Sequence, residues 1–373
     1  MDGSGLATVR QSPLSGKAEQ LTKAESVEGT EIFVSRGISV AFEDALRLYA
    51  TWERPTVIIS DGPYGVKGFP GDPPIPDTLP ILYEPHIAAW SRLSSPATTL
   101  WFWGVEIGWA KVHPVLEKYG WTYRGSHVWD KGMGHVAGNV NTQSLRRFPP
   151  VTEICVQYTR DAEFPFKGKT LSMKEWLRSE WLRTGIPLDR TNEACGVKNA
   201  ATRKYFTQDW LWYYPPVEIF HRLVQYANAH GVPGGRPYFS LDGQKPVTPE
   251  EWRRMRAKFH LELGVTNVWR EPPLHNHERL KSGNRSVHLN QKPLKLMERI
   301  IRASSDEGDV VWDPFGGLMT AALAAFRLKR RCYSAESNPA FYKLGITRLR
   351  HEMRQANAHP LEHFSRPPLK NIS

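Results

Sequence analysis

Cysteine is scarce in this chain, which has three among 373 residues. Cys155, Cys195 and Cys332 stand far apart, without the paired spacing that holds a structural zinc ion. The scarcity also provides no framework for disulfides. We therefore expect a reducing, cytoplasmic setting and no bound metal.

Long apolar runs are missing as well. No stretch approaches the ~18 residues that span a bilayer, and the first residues lack the apolar core of a signal peptide. We therefore expect no membrane association. Acidic residues are outnumbered, with 38 Asp and Glu against 49 Lys and Arg, which gives a net charge of +11. This excess favours a polyanionic partner such as nucleic acid, although an ordinary basic enzyme can carry the same charge.

Strand-like and helix-like stretches alternate over residues 31–160 and again over 286–353. The alternation predicts an α/β fold on a largely parallel, Rossmann-like sheet. Residues 161–285 interrupt it with helical patterns, tryptophans and prolines, and basic residues outnumber acidic ones there. We expect an inserted, mainly helical domain in this range. A disordered tail at 1–30 and a second tail at 354–373 flank the two halves of the sheet domain.

One segment combines a strand with reactive side chains. Thr56 to Ile59 are apolar or β-branched and predict a buried strand, which runs directly into Ser60-Asp61-Gly62-Pro63-Tyr64. A carboxylate, a rigid turn and an aromatic ring thus come together at the carboxyl end of a strand. Open α/β sheets bind their ligands at such ends.

A second segment, Asp309-Val-Val-Trp-Asp313-Pro-Phe-Gly-Gly317, has the same construction and precedes an apolar helix. Glu336 follows the next strand, at about the distance at which an acid binds an adenosine ribose in Rossmann-like sheets. A tight turn followed by a surface glutamate would give the same pattern. Two such strand ends in one sheet suggest one site for a reacting group and one for a cofactor.

The segment His288-Leu-Asn-Gln-Lys-Pro293 stands upstream of the second motif. Together the three motifs resemble those of DNA methyltransferases that modify exocyclic amino groups, at cytosine N4 or adenine N6. The family pattern is His-Pro-x-Gln-Lys-Pro, then Asp-Pro-Phe-x-Gly-Ser-Gly-Thr-Thr, with a catalytic Asp/Ser-Pro-Pro-Tyr that aligns with Asp61-Gly-Pro-Tyr64. The catalytic motif precedes the insert and the cofactor motif follows it, which is the order of the circularly permuted β group. The resemblance covers roughly residues 30–160 and 265–350.

In this family the cofactor is S-adenosylmethionine. The resemblance implies that six residues bind it: Gln291 and Lys292 beside its methionine end, Asp313, Phe315 and Gly317 around its methionine and adenosine parts, and Glu336 at its ribose. The chain departs from the pattern at Leu318 and Met319, which replace Ser-Gly, and at Gly62, which replaces the first proline. Met319 would obstruct a close approach of the backbone, and Gly62 predicts a less preorganised loop.

The resemblance also implies that Asp61, Gly62, Pro63 and Tyr64 carry the reaction. An exocyclic amine is a poor nucleophile because its lone pair is delocalised into the ring. Asp61 can accept one N–H of the amine and the carbonyl of Gly62 or Pro63 the other, while Tyr64 offers a face for stacking. The base must be flipped out of the duplex to reach them. A carbon-5 methylase would need a cysteine after a proline, and no cysteine here has that neighbour, so covalent catalysis is excluded.

The insert is the predicted target-recognition domain. Residues 190–206 suggest a helix-turn-helix with a turn at Gly196, whose second helix could enter a major groove. The candidate DNA-binding residues on or near that helix are Lys198, Asn199, Arg203 and Lys204. An amphipathic helix pair with a solvated basic face would give the same pattern.

The motifs leave the target base open. Asp61 at the first catalytic position favours adenine N6, whereas the form Ser-Asp-Gly-Pro-Tyr-Gly resembles modification enzymes of restriction systems that act on interrupted GC-rich sites, which favours cytosine N4. We lean to cytosine N4. A DNA-binding relative weakened by Met319, and an RNA or protein methyltransferase, are the alternatives. The resemblance names double-stranded DNA as the partner and suggests a cognate restriction endonuclease, and it leaves the oligomeric state unspecified.

Overall fold

The computed structural model describes residues 30–67, 71–132, 146, 148–166, 168–207, 212–274, 281–282, 285–286 and 291–358. The tail predicted at 1–30 lies outside these residues except for Thr30. Most of the tail predicted at 354–373 lies outside them too, as does His288 of the upstream motif.

Strands and helices alternate along the described chain. The strands are β1 (Ile32–Ser35), β2 (Ile38–Ala41), β3 (Val57–Ser60), β4 (Thr99–Gly104), β5 (Thr122–Asp130), β6 (Thr152–Thr159), β7 (Phe164–Phe166), β8 (Lys169–Leu171), β9 (Val268–Arg270), β10 (Lys281–Ser282), β11 (Arg285–Ser286), β12 (Val310–Asp313) and β13 (Arg331–Ala335). The α-helices are α1 (Leu79–Leu93), α2 (Glu106–Lys118), α3 (Met173–Arg183), α4 (Thr191–Ala194), α5 (Val217–His230), α6 (Pro249–Arg253), α7 (Leu294–Ser304), α8 (Thr320–Arg327) and α9 (Pro339–Ala358). No helix within the described residues is long and apolar enough to cross a bilayer.

Nine of the described strands form one sheet in the order β1-β2-β13-β12-β3-β4-β6-β5-β9, and the pairs β7–β8 and β10–β11 form two small sheets. Its five central strands, from β2 to β4, run parallel, and β6 runs antiparallel between β4 and β5. The α/β fold with a largely parallel sheet is thus confirmed. β3 and β12 are neighbours, with Val57 opposite Val311 and Ile58 opposite Trp312. The catalytic and cofactor segments therefore end side by side at the same edge.

Helices cover both faces of the sheet, so its strands are buried on both sides. Val57 and Ile59 of β3 belong to the core cluster that includes α7, α8 and α9. Ile58, between them, belongs to the cluster that includes α1 and α2. All three are 0% exposed, which explains why β3 reads as a continuous apolar run.

The insert has a hydrophobic core of its own. Its buried residues run from Phe164 to Trp252, and the Trp252 ring stacks on that of Phe220 with centroids 3.7 Å apart. The chain leaves the sheet after β6 and rejoins it at β9, which pairs with β5. The insert therefore ends before Val268, earlier than the predicted boundary at 285.

Two predicted boundaries differ from the structure. Residues 41–51 have a helix-like sequence pattern but form no α-helix, because Ile38–Ala41 pair with β13 and a short 3₁₀ turn follows at Ala45–Arg47. Asp44 begins that turn by accepting a hydrogen bond from the N–H of Leu46 at 2.9 Å. The last helix continues past 353 to Ala358, so the tail predicted from 354 begins within a helix.

Candidate active site

The loop after β3 is fixed by its neighbours. The hydroxyl of Tyr83 on α1 donates a hydrogen bond to the carbonyl of Pro63 at 3.0 Å. The carboxylate of Asp72 accepts from the N–H of Tyr64 at 3.0 Å and from that of Val66 at 3.1 Å. The prediction of a less preorganised loop is therefore wrong, since side chains from outside the motif supply the constraint that a second proline would have given.

Gly62 is required by packing. A Cβ atom at this position would lie 2.5 Å from the Tyr83 hydroxyl and 2.7 Å from Cδ2 of Phe315. The ring of Phe315 in turn packs against Tyr83 and His86, with centroid distances of 5.8 and 5.0 Å. The missing side chain thus lets the catalytic loop, α1 and the cofactor loop close on one another, and a proline would not fit.

Asp61 belongs to a cluster of charged side chains from distant parts of the chain. The ammonium group of Lys292 lies 2.9 Å from Oδ1 of Asp61 and 3.2 Å from Oε2 of Glu153. Lys131 forms an ion pair with the other oxygen of Glu153 at 2.5 Å. The side chain of Asp61 is 19% exposed, whereas those of Glu153 and Lys292 are 5% and 1% exposed. Asp61 alone of these three presents a usable surface to a substrate.

The charge states in this cluster follow from burial and pairing. Burial acts to lower the pKa of Lys292, but the carboxylates of Asp61 and Glu153 outweigh it, so the pKa is raised. Burial acts to raise the pKa of Glu153, but Lys292 and Lys131 outweigh it, so that pKa is lowered. Lys292 is therefore cationic and Glu153 anionic at neutral pH. Lys292, predicted beside the cofactor, thus forms an ion pair with Asp61, the predicted catalytic acid.

Tyr64 holds a different place from the one expected. Its side chain is buried, and its hydroxyl donates to Oδ1 of Asp61 at 2.8 Å and lies 3.3 Å from Oε2 of Glu153. Burial and the charges of Asp61 and Glu153 raise its pKa well above the ordinary range, so the hydroxyl keeps its proton. The expectation that its ring offers a stacking face is wrong in this structure, because the ring is enclosed and its hydroxyl is committed to the acids.

The cofactor motif forms the adjacent wall of the site. The carboxylate of Glu336 accepts hydrogen bonds from the N–H groups of Gly317 and Asn338, both at 2.7 Å. Asp313 is buried at the end of β12, where Ser334 donates to it at 3.3 Å. Burial and the charge of Asp61 raise the pKa of Asp313 to about 8. The predicted residues of β12 and β13 thus lie together, with Glu336 oriented by backbone amides, and Gln291 is buried next to Lys292 in sequence.

Met319 lies between this wall and α9. It adopts the left-handed conformation, with φ of 59°, at the start of α8 and is completely buried. Its side chain packs towards α9, because a Cβ at Gly345 would lie only 2.5 Å from its Cγ. The thioether thus fills space that Gly345 leaves free in the core. Its sulfur also lies against the Asp313 loop, since a Cβ at Gly316 would lie 2.9 Å from it, and the obstruction expected from Met319 stays a prediction.

The predicted helix-turn-helix is wrong. The first helix, α4, has only four residues, and the second is a six-residue π-helical turn at Thr202–Thr207. Lys198, Asn199 and Arg203 are exposed, while Lys204 is half-buried with its ammonium 5.4 Å from the centre of the Tyr213 ring. Both helices are too short to present a recognition helix to a groove. The four side chains remain candidates for DNA contact on a loop and turn.

Four residues of the site were not identified from the sequence: Lys131, Glu153, Asp72 and Tyr83. A signal existed for Glu153, which is the only acid in the buried strand β6. A charged residue in a buried strand needs partners. The other three act through contacts that depend on the sheet order, which local patterns do not specify.

A cavity of about 750 Å³ lies elsewhere among the described residues. It is lined by Thr159, which pairs with Thr99 at the start of β4, and so it opens at the amino ends of the parallel strands. Of the cations on its wall, Arg124 pairs with Asp161 and Lys258 with Asp309. We interpret it as the cleft between insert and sheet. Within the described residues, no group of three or more His, Cys, Asp or Glu side chains could hold a metal ion.

A family model described as DNA methylase, with the short name N6_N4_Mtase, matches residues 57–347, more than three quarters of the chain. The chain belongs to this DNA methylase family. The resemblance to exocyclic-amino DNA methyltransferases is thereby confirmed. The matched range contains the catalytic loop, the insert and the cofactor loop of this methylase.

Curated relatives match this methylase over short segments. It is 39% identical over 83 residues to the DNA adenine methyltransferase YhdJ of Escherichia coli K12, a segment that is 22% of the chain and 27% of YhdJ. It is 38% identical over 71 residues to the type II methyltransferase M.HindIII of Haemophilus influenzae, 19% of the chain and 23% of that relative. The chain thus spans about a quarter of the length of these relatives.

Solved structures are also similar, at low identity. The M1.HpyAVI–SAM complex matches 84% of this chain and 98% of its own, with 16% identity and a TM-score of 0.45. The PvuII DNA methyltransferase, described as cytosine-N4-specific, matches 86% of this chain and 91% of its own, with 12% identity and a TM-score of 0.45.

The packing at Gly62 gives a first prediction. Gly62→Ala should lower the free energy of unfolding by roughly 1–3 kcal/mol, because the added methyl group overpacks the contact with Tyr83 and Phe315. Urea denaturation measures this difference. Gly235→Ala is the control, since no atom lies within 4 Å of a Cβ there, and its stability should stay within about 0.5 kcal/mol of the wild type. Equal stability of Gly62→Ala and the wild type would show that the loop has room to spare.

The buried acid of the cofactor loop gives a second prediction. With a pKa of about 8, folded Asp313 keeps a proton that the unfolded chain releases near its ordinary pKa of about 3.9. Between these values the folded state binds more protons, so the free energy of unfolding falls as pH rises. Asp313→Asn removes this dependence and should gain stability relative to the wild type from pH 5 to pH 9. Denaturation curves at pH 5, 7 and 9 without cofactor test it, and a constant difference would contradict it.

Proposed function

We propose that this chain transfers a methyl group from S-adenosylmethionine to the exocyclic amino group of a base flipped out of double-stranded DNA. One observation carries the proposal most directly. In a member of the DNA methylase family, the partly exposed carboxylate of Asp61 lies at the end of β3, beside the Asp313 loop on the neighbouring strand β12. An acceptor for the amine and a cofactor loop thus share one edge of the sheet.

The residues of the cofactor loop fit this cofactor. Glu336 presents carboxylate oxygens for ribose hydroxyls, and the amides of Gly317 and Asn338 fix its orientation. Phe315 is half-buried and gives an apolar wall, and Asp313 lies nearby as an acid for a cationic group. When bound, the cofactor supplies a methyl group activated by a sulfonium. Phe42 and Asp44, which follow β2 beside Glu336, were not identified from the sequence and extend the same wall.

The catalytic loop would prepare the amine. Asp61 accepts one N–H of the amine, which favours a pyramidal nitrogen and stabilises the positive charge that develops on it. The second N–H needs a carbonyl, and the carbonyl of Pro63 already accepts from Tyr83 at 3.0 Å. The carbonyl of Gly62 is therefore the better candidate of the two. The fixed loop holds both acceptors in place, so alignment supplies much of the rate enhancement.

Our proposed target atom is cytosine N4, because the motif Ser60-Asp61-Gly62-Pro63-Tyr64 has the form that favours it. Adenine N6 is the second candidate, favoured by Asp61 at the first position and by the local likeness to the adenine methyltransferase YhdJ. Both reactions need the same acceptors. Long-read sequencing of host DNA after expression of the chain distinguishes them, since it reports base, position and sequence context together.

We further propose that the insert selects the DNA sequence and that a cognate restriction endonuclease recognises the same sites. The likeness to the type II methyltransferase M.HindIII supports the second point. Exposed Lys198, Asn199 and Arg203 support the first, since such side chains read base edges or phosphates.

Asp61 and Glu336 are predicted to have separable effects. Asp61→Ala should abolish methyl transfer, because the amine loses its anionic acceptor, while cofactor affinity persists. Glu336→Ala should weaken cofactor binding by about 1.5–3 kcal/mol, the value of a hydrogen bond to a charged group. Transfer of tritiated methyl groups to DNA and calorimetric titration with S-adenosylmethionine measure the two effects. Near wild-type turnover in Asp61→Ala would sink the assignment of the acceptor.

Arg203 is predicted to contribute to sequence choice. Arg203→Ala should relax or alter the methylated sequence, at about 1–3 kcal/mol for a lost bidentate contact. Arg253→Ala is a matched control on the same insert, because its exposed guanidinium pairs with Glu250 at 3.1 Å. Sequencing of DNA modified by each variant gives the motifs. An unchanged motif and full activity in Arg203→Ala would remove the turn at Thr202–Thr207 from base readout.

A further inference from the structure

Behind Asp61 lies a carboxylate that no substrate can touch. Glu153 is 4% exposed and lies within β6, next to the strand β4 that borders β3. Its two oxygens bind different cations, Lys131 on one side and Lys292 on the other. With Asp61 these residues make two acids and two bases, so the cluster is neutral as a whole.

The contacts on Asp61 are one-sided. Among the described residues, both the hydroxyl of Tyr64 and the ammonium of Lys292 reach the same oxygen, Oδ1, at 2.8 and 2.9 Å. The same two groups also lie at 3.3 and 3.2 Å from Oε2 of Glu153. Glu153 thus holds the ammonium of Lys292 from behind, whereas the single proton of the Tyr64 hydroxyl goes to Asp61. The second oxygen, Oδ2, is then directed by the rotation that these donors impose on the carboxylate.

The surroundings restrict Lys292 further. Its ammonium lies 4.9 Å from the centre of the Tyr64 ring and 5.5 Å from that of Trp103. Removing ions from water is costly, and an apolar residue in place of a buried ion pair is often neutral or stabilising. Stability alone therefore does not explain a buried acid at the second position of β6. A role in orienting Asp61 does explain why Glu153 is buried there.

We propose that Glu153 is a positioning residue for methyl transfer, which holds Lys292 so that Asp61 offers Oδ2 to the amine. This inference rests on the proposed function. Glu153 acts through its neighbours and touches neither base nor cofactor. Loss of its charge removes one of the carboxylates that hold the ammonium of Lys292, so the carboxylate of Asp61 loses part of the support for its orientation.

The test is the variant Glu153→Gln, which keeps the shape and removes the charge. Single-turnover transfer of tritiated methyl groups to unmethylated genomic DNA should slow by roughly 10- to 100-fold, as expected when a reacting group is misplaced. The Kd for S-adenosylmethionine and the DNA concentration at half-maximal rate should change less than about threefold. Glu153→Asp retains the charge and should recover part of the rate. If Glu153 were merely structural, folded Glu153→Gln would transfer methyl groups at the wild-type rate, and Glu153→Asp would be no faster than Glu153→Gln.

The insert offers a matched control. Glu180 is also buried, at 2% exposure, and also pairs with two cations, Arg183 at 2.8 Å and Arg236 at 2.5 Å. Glu180→Gln should lower the Tm in the same way as Glu153→Gln, yet keep the single-turnover rate at saturating DNA. A wild-type rate in folded Glu153→Gln, or an equal loss of rate in Glu180→Gln at saturating DNA, would overturn the inference.

Two further outcomes keep the test decisive. If Glu153→Gln does not fold, Lys131→Gln takes its place, because it removes only the outer cation that orients Glu153. A slower single-turnover rate with an unchanged cofactor Kd supports the inference. An unchanged rate overturns it. Wild-type protein that transfers no methyl group to DNA contradicts the proposed function itself. Active wild type with an equally active Glu153→Gln contradicts only the positioning role.

Discussion

The parallel pairing of β3 with β12 is the constraint on which the site depends. Val57 and Val311 lie opposite each other although most of the chain separates them in sequence. Because the carboxyl ends of parallel strands meet at one edge, this single register brings the Asp61 loop and the Asp313 loop together. Gly62 then permits Tyr83 and Phe315 to close the gap between the loops. The insert leaves this register undisturbed, since it forms a separate core and rejoins the sheet at its far edge.

The same pairing creates an electrostatic problem that the chain solves in two ways. Two acids at neighbouring buried strand ends cannot both be ionised without compensation. Asp61 receives the buried cation Lys292, whereas Asp313 has its pKa raised to about 8 by burial and by the charge of Asp61. Asp61 is thus paired with a buried cation, whereas Asp313 has a charge state that can respond to a cationic ligand. A buried acid whose pKa is raised by burial and a specific charge is a candidate for a functional site.

The sequence predicted the two strand ends well because each is a local pattern. A buried apolar run followed by an acid and a turn needs no knowledge of the rest of the fold, and β3, β12 and β13 formed as expected. Lys131, Glu153 and Lys292 meet only because β6 runs antiparallel between β4 and β5. No local pattern gives that order. The helix-turn-helix prediction was wrong for a related reason, since Gly196 and the residues after it favour turns that end helices within one or two windings.

The insert leaves the sheet at one end of its strands and returns at the other. The chain leaves the sheet after Thr159, level with the start of β4, while Asp61 lies at the opposite ends of the strands. It returns in β9, which runs beside Val128–Asp130, so its end reaches the edge where Asp61 lies. Arg270 at the end of β9 is 87% exposed and is therefore a cation at the edge where the base must enter. We expect the sequence choice made on the insert to be delivered to the reaction through this return strand, because it is the described segment that connects the two.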